Sequence, residues 1–339
     1  SISVDYELAM WEISAAQPDI LKINLTEPLM PNDSTRISAT YSVKIPRDRF
    51  TRYGYNANGY HLKYWYLIPA VFDGKWQTDS NLDMDDLHMD FTDYEVRFEI
   101  PENYTLRANL PQKELTSNGV QIAHFSGEDR LDVEISILEE DDFTRFDFDD
   151  MSVLTNMESL DLSHELRNNI LKRGFNFIQF YLGEYPHNDL FISKIDYEKN
   201  PVYGFNQLPT FLTPFSKTFE WDIAVFKVLS RKYLDQMLSF DKREDTWLAD
   251  GIHNYLMIKY VERFYPEIKA IGEISKIWGV RNFNIAKINF NDKYPYVYQF
   301  AARQNLDQAL TTPSEELSNF NRKIVNKYKA GLGLRYLEA

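Results

Sequence analysis

The sequence predicts an α+β chain of more than one domain, an antiparallel β region folded as a saddle or sandwich of sheets and then a mainly helical region. Three observations carry this expectation. Apolar residues alternate with period two from Ile2 to Ile137, the mark of strands with one buried face. From Leu162 they recur three to four residues apart instead, the mark of amphipathic helices. The 339 residues, 44% hydrophobic and 26% charged, suffice for two packed cores. Domains are expected at 1–152 and 153–339.

The β region is read element by element. Ile2, Val4, Tyr6, Leu8 and Met10 form the first alternating face. Ile37 to Ile45 form the second, ended by Pro46, and Leu62, Tyr64, Tyr66 and Ile68 the third, ended by Pro69. Tyr94, Val96, Phe98 and Ile100 follow, closed by Pro101, and Leu131, Val133, Ile135 and Ile137 complete the set. Proline removes a ladder donor, so its position after each run marks a strand end. The acidic run from Glu139 to Asp150 lacks the mid-loop glycine of a calcium loop and reads as a solvated domain edge.

In the second half, Leu162, Leu166, Ile170, Phe177, Ile178 and Tyr181 predict one helix, and Leu190 to Ile195 a short strand. Phe219 to Met237 predict a long helix, and about Thr246 to Tyr265 the next. Thr312-Pro313-Ser314-Glu315 has the form of a capping box with proline at the first helical position, launching a helix toward Leu337. His164-Glu165-Leu166-Arg167-Asn168 falls short of a zinc helix, because Asn168 stands where the second histidine must be.

Composition excludes several classes of function. With 37 Lys and Arg against 51 Asp and Glu, the net charge of −14 disfavours nucleic acid, whose phosphates need clustered cations. No apolar run approaches membrane-spanning length. The absence of cysteine rules out disulfides and thiolate sites. The chain opens on Ser1 in strand-like sequence, as expected of a processed piece, and the helical region is expected to be truncated at its C-terminal end.

Several segments, in order, resemble the gluzincin aminopeptidases, the family of aminopeptidase N and the leukotriene hydrolases. Tyr64-Trp65-Tyr66 through Trp76 and Asp93-Tyr94-Glu95-Val96 with Ile100-Pro101 and Tyr104 are similar to its N-terminal β domain. Gly183-Glu184-Tyr185-Pro186 resembles its Gly-Pro-Tyr-Pro turn, and Gly204-Phe205-Asn206-Gln207-Leu208-Pro209 its G-x-M-E-x-P strand. Trp247-Leu248-Ala249-Asp250-Gly251 resembles W-L-x-E-G, and Tyr328-Lys329-Ala330-Gly331 Y-x-K-G. Eighteen residues separate Arg231 from Asp250, the family's spacing from its second zinc histidine to its third ligand. The resemblance implies an N-terminal β domain followed by a thermolysin-like domain. It places the zinc histidines at Lys227 and Arg231, the general base at Val228 and the third ligand at Asp250. The amine-binding glutamate falls at Gln207, beside Gly204, and the oxyanion tyrosine at Tyr328.

Chemistry at those positions argues against a working zinc centre. Zinc needs lone pairs, and a guanidinium has none at any usable pH. Val228 cannot take a proton from water, so the general base is missing as well. Lys, Arg and Asp together carry the same charge as zinc with two neutral histidines and a glutamate. Arg231 or Lys227 is therefore expected to bridge to Asp250 in place of the metal. The bland alternative puts Lys227 and Arg231 on an exposed helix face. The expected function is an aminopeptidase-like pseudoenzyme without zinc or other cofactor, binding a peptide or protein, in a periplasmic, envelope or secreted setting, with the cytoplasm kept as an alternative. The alternatives are a hydrolase built on another apparatus, with His253 beside Asp250 as its candidate acid or base, and a purely structural domain of a larger exported protein.

Overall fold

The computed structural model describes residues 1–78, 87–205 and 214–338. Every described strand but one precedes the first helix, as the change of period predicts. The strands Thr92–Ile100, Gln121–Arg130 and Gln112–Ser117 form one antiparallel sheet. Thr105–Ala108, Glu134–Leu138, Gly59–Lys63 and Gly54–Asn56 form another. Between them lie Ile100, Leu106, Ala123, Phe125 and Ile135, all buried. Trp65 packs against Phe98 with ring centroids 5.4 Å apart, and the Tyr66 hydroxyl accepts from the Val133 amide at 3.1 Å.

Four of the expected strands are shorter than their alternation, one of them because Leu131 and Val133 lie ahead of the strand Glu134–Leu138. Ile2 to Met10 is not continuous, because Asp5 and Tyr6 take positive φ of 47° and 73° and fold Ile2–Val4 back on Glu7–Leu8. The Asp5 carboxylate fixes this turn by accepting from Thr35 Oγ1 at 2.8 Å and the Arg36 amide at 2.9 Å, a local bond that competes with the ladder. Of the run Ile37 to Ile45, only Ile37–Ala39 is strand. The strand Gly59–Lys63 stops at Tyr64, whose φ is +53°.

The strand Met151–Thr155 runs antiparallel to Thr144–Phe148 and parallel to Asp189–Ile192, so one small sheet joins the end of the β region to the start of the helical one. Within the acidic run, Asp141 pairs with Arg107, Asp147 with Arg145 and Asp149 with Lys172. Side chains already committed to cations make no calcium cage.

The helices are α1 (His164–Leu182), α2 (Lys194–Lys199), α3 (Lys217–Met237), α4 (Thr246–Phe264), α5 (Lys293–Arg303) and α6 (Asn326–Glu338). Serines cap the first three: the Ser163, Ser193 and Ser216 hydroxyls accept from Leu166, Asp196 and Phe219 amides, satisfying donors a helix start leaves open. His164 stacks on Phe146 at 4.6 Å rather than facing a second ligand. Helices α1, α3 and α4 share a core of Leu171, Ile178, Phe226 and Tyr260, with the last two rings stacked 3.6 Å apart. A buried polar knot pins the same helices, where Asp222 takes Arg173, the Tyr260 hydroxyl at 2.8 Å and the Tyr265 hydroxyl. The expected helix start at Thr312 is corrected. Ser314–Glu316 is a single 3₁₀ turn that ends where Leu317 becomes extended, and the last helix starts only at Asn319, passing through a π-helical stretch at Asn321–Val325 into α6. No described helix is long and apolar enough to cross a membrane.

Candidate functional site

A cleft with a cavity volume of about 360 Å³ opens where the β region meets α2, α3, α4 and the chain leading into α6. Its walls are tied across by ion pairs. Lys63 meets Asp132 at 2.9 Å, Arg130 meets Asp189 at 2.5 Å, and Lys232 of α3 meets Glu134 at 2.7 Å and Asp196 at 3.0 Å. Burial opposes charging of Lys232, but Asp196 and Glu134 overcome it and hold its pKa well above the ordinary lysine range. These are partly or fully buried pairs, which cost most when one member is removed.

At the other end of the cleft lie the positions that the sequence singles out. Lys227 and Arg231 are one helical turn apart on α3, and Asp250 is in the second turn of α4. Arg231 Nη1 donates to Asp250 Oδ1 at 2.7 Å, and its Nε donates to Asp235 at 3.2 Å. Lys327, at the start of α6, meets the other Asp250 oxygen at 3.1 Å. Burial pushes the Asp250 carboxyl up, but Lys327 and then Arg231 outweigh it and leave the pKa below the ordinary carboxylate value. Asp250 is thus ionised and clamped between two cations.

Lys227 takes no part in that clamp. Its Nζ donates to Asn200 Oδ1 and to the Pro201 carbonyl, both at 3.0 Å. Burial, and next the repulsion of Lys327, bring its pKa down to about 7. Val228 is buried and lines the cleft as an apolar patch. His253 Nε2 lies 2.9 Å from the Lys227 carbonyl. Burial, with Arg231 and Lys227 nearby, depresses its pKa to about 3, so the neutral ring donates to that carbonyl and ties α4 to α3. Through Nε2 the ring is tied to the backbone of α3.

Two further positions are placed, and one is not. Gly204 sits in a turn at φ +107°, a conformation open to glycine. Tyr328 packs edge-on against Tyr294 with centroids 4.7 Å apart and is absent from the described cleft wall; burial, and next Tyr203, push its phenol up to about 12. Gln207 lies outside the described residues. The structure therefore brings Arg231 and Asp250 together, keeps Lys227 and Val228 beside them, and leaves Tyr328 apart.

Sequence reasoning missed Lys327. A signal existed, since Lys327 and Gly331 are four residues apart and share a helix face. Gly331 packs on α4, where an added Cβ would lie 2.9 Å from Asn254 Cβ and 3.1 Å from the Tyr255 amide nitrogen. Gly251 of α4 is packed the same way, 2.7 Å from Ala330 Cβ. The glycines of both short motifs let α4 and α6 approach closely, and that approach carries Lys327 to Asp250.

The antiparallel sheets, the helices behind them and the cleft at their junction make a fold that can be compared with those of known proteins. No family model matches the sequence, and no curated protein does either. Among solved structures, an M1 zinc metallopeptidase mutant from Deinococcus radiodurans matches with a TM-score of 0.55 at 11% identity, covering 99% of this chain and 71% of that one. A mutant M1 zinc metallopeptidase from the same organism, bound to a Tyr-Ser-Ala substrate, gives 0.54 at 12% identity with 99% and 71% covered. At such identities the likeness is one of fold. The neighbours are zinc enzymes by name, but Lys227, Arg231 and Asp250 do not suit the ion. The guanidinium offers no lone pair, Lys227 is turned to Asn200 and Pro201, and both Asp250 oxygens already face cations.

Proposed function

We propose that this chain is an aminopeptidase-like pseudoenzyme that binds a peptide or protein in the cleft without cleaving it. The observation that carries the reading is the clamp of Asp250 between Arg231 and Lys327. Two fixed positive groups repel a divalent cation from the only carboxylate among the three positions, and Val228 supplies no base for water. Loss of a general base alone removes about 10² to 10⁴ in rate, and loss of the Lewis acid removes more. The walls, in contrast, are held by paired charges around a cavity of about 360 Å³, a volume within the range of ligand pockets.

The test is turnover of aminoacyl-4-nitroanilides by the purified protein, with and without added zinc and with and without a chelator, alongside metal analysis. The expected result is no hydrolysis above buffer in any condition and no stoichiometric zinc. Hydrolysis that a chelator abolishes and zinc restores would overturn the proposal.

A further inference from the structure

Charge is unevenly placed around the cleft. The chain as a whole is strongly acidic at −14, yet among the described residues lining the cleft Lys and Arg outnumber Asp by two to one. Toward the β region the cations are answered, Lys63 by Asp132, Arg130 by Asp189 and Lys232 by Glu134 and Asp196. At the α3–α6 end they are not. Asp250 answers both Arg231 and Lys327, and Asp235 answers both Arg231 and Lys242. Among the described residues, Lys227 has only the neutral oxygens of Asn200 and Pro201, and Arg322 only the Asn319 side-chain oxygen, at 2.8 Å. Lys323 stands exposed on the rim.

From this arrangement we infer that the cleft receives its peptide through a carboxylate, seated between Lys227 and Lys327 with Arg322 and Lys323 at the entrance. This rests on the peptide-binding reading and deepens it, because the ligand's negative group, not its amine, is what this end of the cleft recognises. An ammonium has three protons to donate. Lys227 uses two on Asn200 and Pro201 and retains one, and Lys327 uses one on Asp250. A carboxylate there accepts charge-assisted hydrogen bonds, the strong kind. It also offsets the mutual repulsion of Lys227 and Lys327, which together with burial lowers the Lys227 pKa. Unanswered charge on this scale steers ligands of opposite sign and rejects those of like sign.

The experiment uses isothermal titration of the whole protein with equimolar tetrapeptide pools. One pool has both ends free, one is N-acetylated, one is C-amidated, and one is C-amidated with Glu and Asp left out. The expected result is that N-acetylation changes affinity less than about threefold, while loss of every carboxylate weakens it at least about tenfold, a difference of about 1.4 kcal/mol. The amidated pool that retains Glu and Asp distinguishes a side-chain carboxylate from the C-terminal one. Lys227→Met and, separately, the exposed Lys323→Met should each flatten the preference, and the rim variant guards against a folding defect in the other. Loss of binding on N-acetylation with indifference to amidation would overturn the inference and leave the peptide cleft standing. Absence of binding by every pool at millimolar concentration would overturn both.

Discussion

Replacing Lys227 by methionine should stabilise the protein, and by an amount that depends on pH. The lysine is half-buried and pairs with no carboxylate among the described residues, and its pKa falls from the ordinary 10.5 to about 7. Between these two values the unfolded chain binds a proton that the folded one does not, so stability rises with pH across that window. Below about pH 7 the lysine is charged in both states and its burial costs most. At about 1.4 kcal/mol per pKa unit, the gap bounds that cost at about 5 kcal/mol. Water in the cleft screens part of it, and methionine loses the two hydrogen bonds, so a net gain of about 1 to 3 kcal/mol is expected near pH 6. Toward pH 10 the gain should vanish. Urea unfolding of both proteins at pH 6, 8 and 9.5, in a buffer without multivalent anions, measures it. An equal gain at all three values would show that buried charge is not the cause. A loss at pH 6 would show that the bonds to Asn200 and Pro201 outweigh it.

Asp250→Ala leaves Arg231 and Lys327 facing each other and should cost about 3 to 5 kcal/mol in urea unfolding at neutral pH. Because the folded pKa of Asp250 is depressed, that difference should be complete above the ordinary carboxylate value of 3.8 and shrink as pH falls below it. Gly331→Val should cost about 1 to 3 kcal/mol, since its Cβ has only 2.9 Å to Asn254 and 3.1 Å to backbone. Combined with Lys327→Met it should be less than additive, because both changes loosen one contact. Restoring ligand chemistry by Lys227→His, Val228→Glu, Arg231→His and Asp250→Glu should give zinc binding that tightens at least about tenfold when Lys327→Met is added, as repulsion from a cation at the site predicts. Competition against a metal-sensitive dye reads this, and indifference to Lys327 would refute the clamp as a barrier to metal.

The sequence and the structure agree where one signal dominates. The runs Tyr94 to Ile100 and Phe219 to Met237 are a strand and a helix as their periods indicate, the strand because alternate residues turn inward along it and the helix because it is buried on most sides from Trp221 to Ser230. Ile2 to Met10 alternates as well, yet two positive-φ residues and an aspartate bonding to a distant segment turn it back. Such side-chain-to-backbone bonds across some thirty residues leave no periodic trace. At the site, the spacing of Arg231 and Asp250 was legible, and the bridge between them has good geometry. The direction of Lys227 was not, since nothing in its neighbourhood in sequence announces the oxygens of Asn200 and Pro201. Lys327 was hidden for a third reason. Its role depends on how closely two helices far apart in the chain approach, and that distance is written in the small residues Gly251, Ala330 and Gly331 rather than in any charged pattern.

That helix contact has a consequence for how the cleft responds to its surroundings. A site closed by a bound ion is finished only when the ion arrives, and its shape follows the local supply. Here the corner formed by α3, α4 and α6 is closed by atoms of the chain itself, brought into register by glycine and alanine surfaces that neither titrate nor exchange. On the proposed reading its geometry is complete on folding. The agents that should disturb it are therefore concentrated salt and strong acid, which weaken the Arg231–Asp250–Lys327 bridges, while scavenging trace metals should leave the cleft as it is.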